Sequence, residues 1–207
     1  ILISGWTGSG KSALALALAE RYGGTIVNAD SMQVYRELAV LTARPTPADE
    51  ALVPHRLYGH IPGAEAYSAG RFAREAAAEI AAARAAGRLP IVVGGTGLYF
   101  KALTEGLSPI PEVSGDVRAY WRSEARRLGA SGLHAELLRR DAEMASRLRP
   151  TDAQRVTRSL EVLEATGRSL AWWQAQPPQP VIDVTGCVRL VAAPSRDDVY
   201  RRCDARL

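Results

Sequence analysis

The sequence predicts an α/β protein, a parallel sheet flanked by helices that carries a mostly helical insertion. Three observations lead there. Gly5-Trp6-Thr7-Gly8-Ser9-Gly10-Lys11-Ser12 fills every fixed position of a phosphate-binding loop (P-loop), between the apolar run Ile1 to Ile3 and an Ala/Leu-rich stretch. Strand-length apolar runs then alternate with helical patterns, as a parallel sheet requires. Ser108-Pro109-Ile110-Pro111 interrupts the alternation, because two prolines within three residues suit neither helix nor central strand, and the next forty residues read as helical. The expected architecture is a P-loop nucleotide-kinase-like core over residues 1–109 and an insertion over 110–180 that returns toward the core near 151–168. The core resumes over 181–207.

Each element has its own signal. Ala13 to Arg21 continues from the loop as a helix, and Thr25 to Asn28 is a buried strand ending just before Asp30. Ser68 caps a long helix to about Ala86, with Phe72, Ala76, Ile80 and Ala83 inward and Gly87 as its stop. Leu89 to Val93 is a third strand running into Gly94-Gly95-Thr96, a tight turn that opens the helix Leu98 to Thr104. In the insertion, Arg118, Arg122 and Arg126 repeat at i, i+4, i+8 opposite a stripe of Trp121, Ala125 and Leu128. Thr151 with Gln154 matches a capping box, opening a helix that buries Val156, Leu160 and Leu163 and ends at Gly167. After the proline-rich stretch Gln176 to Pro180, Val188 to Ala192 reads as a fourth strand, and Ser195 with Asp197 and Asp198 starts a last helix. There is no internal repeat.

Composition narrows the function classes. A hydrophobic content of 47% is ordinary for a globular domain and excludes disorder, and no apolar run is long enough to span a bilayer. A cytoplasmic, monomeric protein with no membrane partner is the expectation. Cys187 and Cys203 lack metal-ligand spacing, and His55, His60 and His134 are equally scattered. All but two of the 26 basic residues are arginine, the exceptions being Lys11 and Lys101. From Arg118 to Arg158, ten arginines face five acids, an excess of five that exceeds the net +4 of the whole chain. Such a stretch is commonly a solvated face; beside a phosphate loop it points to a nucleic-acid partner.

The loop itself binds a polyanion. Its glycines let backbone N–H groups turn toward phosphate oxygens, the following helix adds its positive end, Lys11 adds a cation, and Ser12 offers a hydroxyl to Mg²⁺. Hydrolytic NTPases usually end a further strand in an Asp that helps hold the metal; here that strand ends in Gly-Gly-Thr, which disfavours hydrolysis. Asp30 lies at the carboxyl end of the second strand, the edge where open α/β sheets bind ligands. General base, Mg²⁺ ligand and turn-forming Asp all fit that position.

Longer segments carry a resemblance. GWTGSGKS at 5–12, NADSMQVYRELAVLTARPT at 28–46, PHRLYG at 54–59, YSAGRF at 67–72, PIVVGGTGLYFKALTEGLSPIP at 90–111, RLRPTDAQRVTRSLEVLEATGR at 147–168 and the pair Arg202, Arg206 follow in order. The chain resembles the tRNA dimethylallyltransferase (IPP transferase) family over essentially its whole length. The resemblance implies that the loop grips the diphosphate of dimethylallyl diphosphate, with Mg²⁺ beside Ser12, and that the acceptor is N6 of the adenosine next to the anticodon (position 37). It implies Asp30 as base toward that amine, and Thr7, Lys11 and Arg206 as groups that stabilise the departing diphosphate. Asp30, Ser31, Met32 and Gln33, then Thr96, Arg118, Gln154, Arg155, Val156, Thr157 and Arg158, match the family's contacts to the tRNA anticodon arm.

Two departures accompany it. Trp6 replaces the family's usual proline, at a position that contributes backbone. The residues stop at Leu207, before the family's later Arg-Cys-x-Gly-Tyr-Arg tRNA-contact segment, and a chain ending there is expected to hold tRNA more weakly. Rival readings are a small-molecule kinase, an adenylate isopentenyltransferase acting on free nucleotide, and a non-catalytic nucleic-acid-binding module.

Overall fold

The computed structural model describes residues 1–205; Arg206 and Leu207 lie outside the described residues. In chain order the elements begin β1 (Leu2–Gly5), α1 (Lys11–Tyr22), β2 (Gly24–Asn28), α2 (Pro47–Leu52), β3 (His55–Arg56), α3 (Ala69–Ala85), β4 (Leu89–Gly94) and α4 (Gly97–Thr104). There follow α5 (Gly115–Arg140), α6 (Ala142–Ser146), α7 (Ala153–Thr166), α8 (Leu170–Gln174), β5 (Arg189–Ala192) and α9 (Arg196–Asp204). They form two compact units, Ile1–Leu107 with the segment from Pro180 onward, and Ser108–Gln179.

The first unit is a wholly parallel sheet in the order β3-β2-β4-β1-β5. Alternation along the strands sends successive side chains to opposite faces. Leu2, Val27 and Val92 pack with Phe72, Ala76, Ile80, Tyr99 and Leu103 from α3 and α4. Ile3, Ile26, Ile91 and Val93 pack with Ala15 and Ala19 from α1. Burial on both faces explains why β2 and β4 read as near-continuous apolar runs. β1 pairs with β4 on one side and β5 on the other. The chain therefore leaves β1 in one direction for β2 and reaches the opposite side with β5, which makes the carboxyl end of β1 the switch point of the sheet. Val181 and Ile182 rejoin this unit by donating to the Leu103 carbonyl at 3.0 and 3.1 Å.

The second unit is helical. Trp121, Leu133 and Leu137 of α5 bury against Val156 and Leu160 of α7, and Met144, Val162 and Leu170 form an adjoining cluster with Val113. Gly129, at φ 66 and ψ 177, breaks α5 into two helical segments.

Three expectations change. The helix Ala153–Thr166 belongs to the helical unit, where α5 takes up its apolar face. Its cap is Asp152, whose Oδ1 accepts from Arg155 N at 3.1 Å, and the Thr151–Gln154 box does not form. A carboxylate at the N-cap also complements the positive end of the helix, so Asp152 outcompetes the neighbouring hydroxyl. Val162 is fully buried, whereas Leu163 is partly exposed. The sheet also gains β3, whose two residues pair with Ile26 and Val27 and carry no apolar pattern of their own.

Candidate functional site

The phosphate-binding loop joins β1 to α1. Gly8 and Gly10 sit at φ 77 and 86, a left-handed conformation that costs a residue with a Cβ but not glycine. Gly10 is the N-cap residue of α1, and Ser9 N donates to Trp6 O at 3.1 Å, closing the loop. Lys11 Nζ lies 3.2 Å from Trp6 O, so the cation rests across its own loop. Ser9 is 8% exposed and its Oγ has no partner among the described residues. Trp6 is 64% exposed and does not line the cavity beside the loop, so an indole in place of proline leaves that space open.

That cavity holds about 530 Å³ and is lined by the loop from Thr7 to Ala13, by Asp30, Met32 and Gln33, by Leu41 to Ala43, and by Arg202. Arg202 Nη1 donates to Gly8 O at 3.3 Å, a bond between residues 194 apart that puts a guanidinium at the loop. Arg206 lies outside the described residues, so among the described residues Arg202 is the arginine of the pair that meets the cavity.

Asp30 is held by Asn28, a residue no motif singles out. Asn28 is fully buried at the end of β2; its Oδ1 accepts from Asp30 N at 2.8 Å, and its Nδ2 donates to Asp30 O and Leu57 O, both at 3.0 Å. A polar residue closing an apolar strand is the one signal of this role in the sequence. Asp30 Oδ1 accepts from Met32 N at 2.9 Å, so Asp30 does form a turn, yet it still lines the cavity and its other oxygen is not needed for that turn. A Cβ placed on Gly95 would stand 3.6 Å from Asp30 Oδ2, so the second glycine loop reaches the same edge.

Thr96 ties the two loops together: its Oγ1 accepts from Ser31 N at 2.9 Å and lies 3.3 Å from Ser31 Oγ, while its N donates to Ala29 O at 3.2 Å. Gln33 is likewise engaged, donating Nε2 to Thr42 O at 2.9 Å and to Ala43 O at 3.2 Å, which draws the 39–44 loop toward the cavity. Burial pushes the Tyr99 phenol up to about 12, with the charges of Tyr35 and Asp30 adding to it; Tyr58 is raised further by burial and then by Asp30. Both phenols therefore stay neutral at physiological pH.

The remaining expected residues lie on the helical unit. Gln154 and Arg155 are exposed, Arg155 near Asp152 at 3.4 Å and Arg158 near Glu161 at 3.4 Å. Thr157 Oγ1 donates to Ala153 O at 2.7 Å. Val156 is a fully buried core residue, because it occupies the apolar face of α7, and offers no side chain to a partner. Among the described residues no three His, Cys, Asp or Glu gather as a metal site, both cysteines are free, and no helix is long and apolar enough to cross a membrane.

A family model described as IPP transferase matches residues 33–207, and one described as isopentenyl transferase matches residues 1–61. The chain is 55% identical over 206 residues to a tRNA dimethylallyltransferase of Bradyrhizobium sp. (strain ORS 278) and 56% identical to one of Rhodopseudomonas palustris (strain BisB18). It covers 67% and 65% of those proteins, and so spans about two thirds of the curated relatives' length. Among solved structures it is similar to a eukaryotic dimethylallyltransferase acting on tRNA, with TM-score 0.79 and 26% identity over 99% of this chain and 50% of that one. It is also similar to the tRNA isopentenylpyrophosphate transferase of Bacillus halodurans, with TM-score 0.58 and 30% identity over 99% and 63% of the two chains.

Proposed function

The chain belongs to the IPP transferase family, and on that premise we propose that it transfers a dimethylallyl group from dimethylallyl diphosphate to N6 of the adenosine adjacent to the anticodon in tRNA, releasing diphosphate. The observation that carries the reading is that the phosphate loop, Asp30 and Arg202 line one cavity. A phosphate grip with a carboxylate facing it would serve a kinase's hydroxyl acceptor as well; the family match is what favours an amine acceptor here, and the carboxylate supplies the base such an acceptor needs.

The exocyclic amine of adenine is a poor nucleophile, because its lone pair is delocalised into the ring. Asp30 removes its proton as the C–N bond forms, using the oxygen not tied to Met32 N. As the C–O bond to the donor breaks, negative charge grows on the diphosphate. Loop amides, Thr7, Lys11 and Arg202 receive that charge at fixed positions, so little reorganisation is needed. The unpartnered Ser9 hydroxyl is a further donor within the loop. Arg206 is assigned the same role by resemblance.

Ser12, exposed at the cavity, fits Mg²⁺ as one oxygen ligand, the others coming from diphosphate and water, which is how this ion is commonly held at phosphate sites. When bound, the ion neutralises diphosphate charge. The helical unit would hold the anticodon arm through Arg118, Gln154, Arg155, Thr157 and Arg158, and the target base must leave its stack to reach Asp30. A monomer acting in the cytoplasm, with no membrane partner, completes the reading.

The adenylate isopentenyltransferase alternative has the isopentenyl transferase match over residues 1–61 in its favour, but gives the basic helical unit no substrate to hold. The test is transfer of label from dimethylallyl diphosphate, with Mg²⁺, to unmodified tRNA, to free AMP, or to neither. Label on tRNA alone supports the proposal; label on AMP moves the chain to the nucleotide-prenylating branch, and ATP turnover without transfer revives a kinase.

A further inference from the structure

The basic excess of the helical unit is not spread over its surface. Arg127, Arg139, Arg140, Arg147, Arg155 and Arg158 each stand within 3.4 Å of a carboxylate of the same unit. Arg118, Arg122 and Arg126 have no such partner among the described residues. Arg149 and Arg168 also lack one, but they stand singly outside the helices, and Arg168 lies over the Trp172 ring. Ion pairing therefore leaves the uncompensated charge concentrated in one row. The row lies on the straight segment of α5 before the break at Gly129. At ~100° per residue its three members fall within about 80° of arc, each roughly 6 Å from the next along the axis. Asp116 and Glu124, the acids of this segment, fall on other arcs, and Glu124 pairs with Arg127.

On the adjoining arc of the segment Trp121 is buried and Val117, Ala125 and Leu128 pack around it, so the segment is anchored and the row is presented on a fixed helix. Arg122 and Arg126 are exposed and Arg118 is half-buried. Three unneutralised guanidinium groups in file match a repeating anion. A single small phosphate could engage only one or two of them.

We infer that Arg118, Arg122 and Arg126 together track the phosphate backbone of the RNA substrate, and that Arg122 and Arg126, which the family resemblance does not single out, contribute as much as Arg118. The inference rests on tRNA being the partner of the proposed reaction, and its test separates the two. Binding of unmodified tRNA to the chain is measured by fluorescence anisotropy across a salt series, with Arg122→Gln/Arg126→Gln and with a charge-matched control, Arg139→Gln/Arg147→Gln, which removes two arginines already paired to glutamates. Matching thermal unfolding of the variants and the parent establishes that all are folded.

The row variant is expected to bind severalfold more weakly and to flatten the slope of log K against log salt by about 1.4 to 1.8, at roughly 0.7 to 0.9 for each phosphate no longer engaged. The control is expected to change the slope by less than half as much. Equal effects of the two variants, or an unchanged slope in the row variant, would overturn the inference while leaving the reaction standing. Failure of the parent chain to bind tRNA would instead remove the tRNA reading, and this inference with it.

Discussion

Replacing Asn28 tests whether the position of Asp30 is built from β2. The side chain is fully buried and makes three hydrogen bonds, accepting from Asp30 N at 2.8 Å and donating to Asp30 O and Leu57 O at 3.0 Å each. Leu57 is held at φ 63, a conformation leucine rarely adopts, and the Asn28 bond is one of its restraints. In Asn28→Ala one donor and two acceptors lose their partner. Each buried group left unmade costs about 1–3 kcal/mol, and water entering the space vacated by the amide recovers part of that, so a net loss of about 3 kcal/mol is expected. Asn28→Asp keeps the shape and the acceptor but replaces Nδ2, the donor to both carbonyls, with one oxygen that faces them, and puts a second carboxylate beside Asp30; it should cost about another 1–3 kcal/mol. Urea denaturation followed by circular dichroism reads both changes. Because the phosphate loop is not touched, binding of inorganic diphosphate should persist under native conditions. Single-turnover prenyl transfer should fall about 10²-fold, since a displacement of Asp30 on the order of 1 Å has that effect. An Asn28→Ala protein within about 0.5 kcal/mol of the parent, or an Asn28→Asp protein more stable than Asn28→Ala, would refute the argument.

Three more outcomes are expected. Asp30→Asn should keep diphosphate affinity and lower the transfer rate by about 10²- to 10⁴-fold; near-full activity in a folded variant would end the base assignment. Gly94→Ala places a Cβ on the backbone of Ala29, the residue joining Asn28 to Asp30, so a loss of more than about 3 kcal/mol or failure to fold is expected, and a stable variant would show that β2 and β4 do not approach this closely. Glu75 accepts from Tyr67 at 2.6 Å, Arg71 at 2.7 Å and His60 at 3.0 Å. Burial raises its pKa, but these three bonds outweigh it and hold the carboxyl below the usual range. A depressed carboxyl stabilises above its unfolded value and loses that contribution as pH falls through the folded one. Glu75→Gln should therefore be less stable than the parent at pH 7, with the gap closing on acidification below about 4.5; a gap constant with pH, measured by thermal unfolding, would contradict a stabilising role for the ionised Glu75 carboxylate.

Much of the core is legible in the sequence because its signals are local. The phosphate loop is written in glycines whose φ values only glycine adopts freely, and β2 and β4 in apolar runs that burial on both faces demands. Ser68 and Ser195 cap the helices expected of them, with side chains accepting from Arg71 N and Asp198 N. Where sequence and structure differ, the cause is local competition. Asp152 displaces Thr151 as a cap because adjacent residues both cap well, and β3 is invisible in the sequence because two residues leave no period to read. Val156 falls inside a segment that matches RNA contacts, although its place on the apolar face of α7 assigns it to packing.

By itself the sequence determined the phosphate loop, the alternation of strand and helix, the proline boundary at the insertion and the family. These depend on spacing within a turn or a strand, where covalent geometry and burial period leave few choices. The tertiary structure decided what faces the cavity and what is used up holding it. Thr96 reaches Ser31 across 65 residues, Asn28 reaches Leu57 across 29, and Arg202 reaches Gly8 across 194. It also decided the pairing of Arg140 with Glu164: the other paired arginines of the helical unit meet acids three or four residues away along the chain, whereas this pair forms only when two helices pack. Such pairings are set by strand order and helix packing, and no pattern along the chain specifies which distant groups will meet.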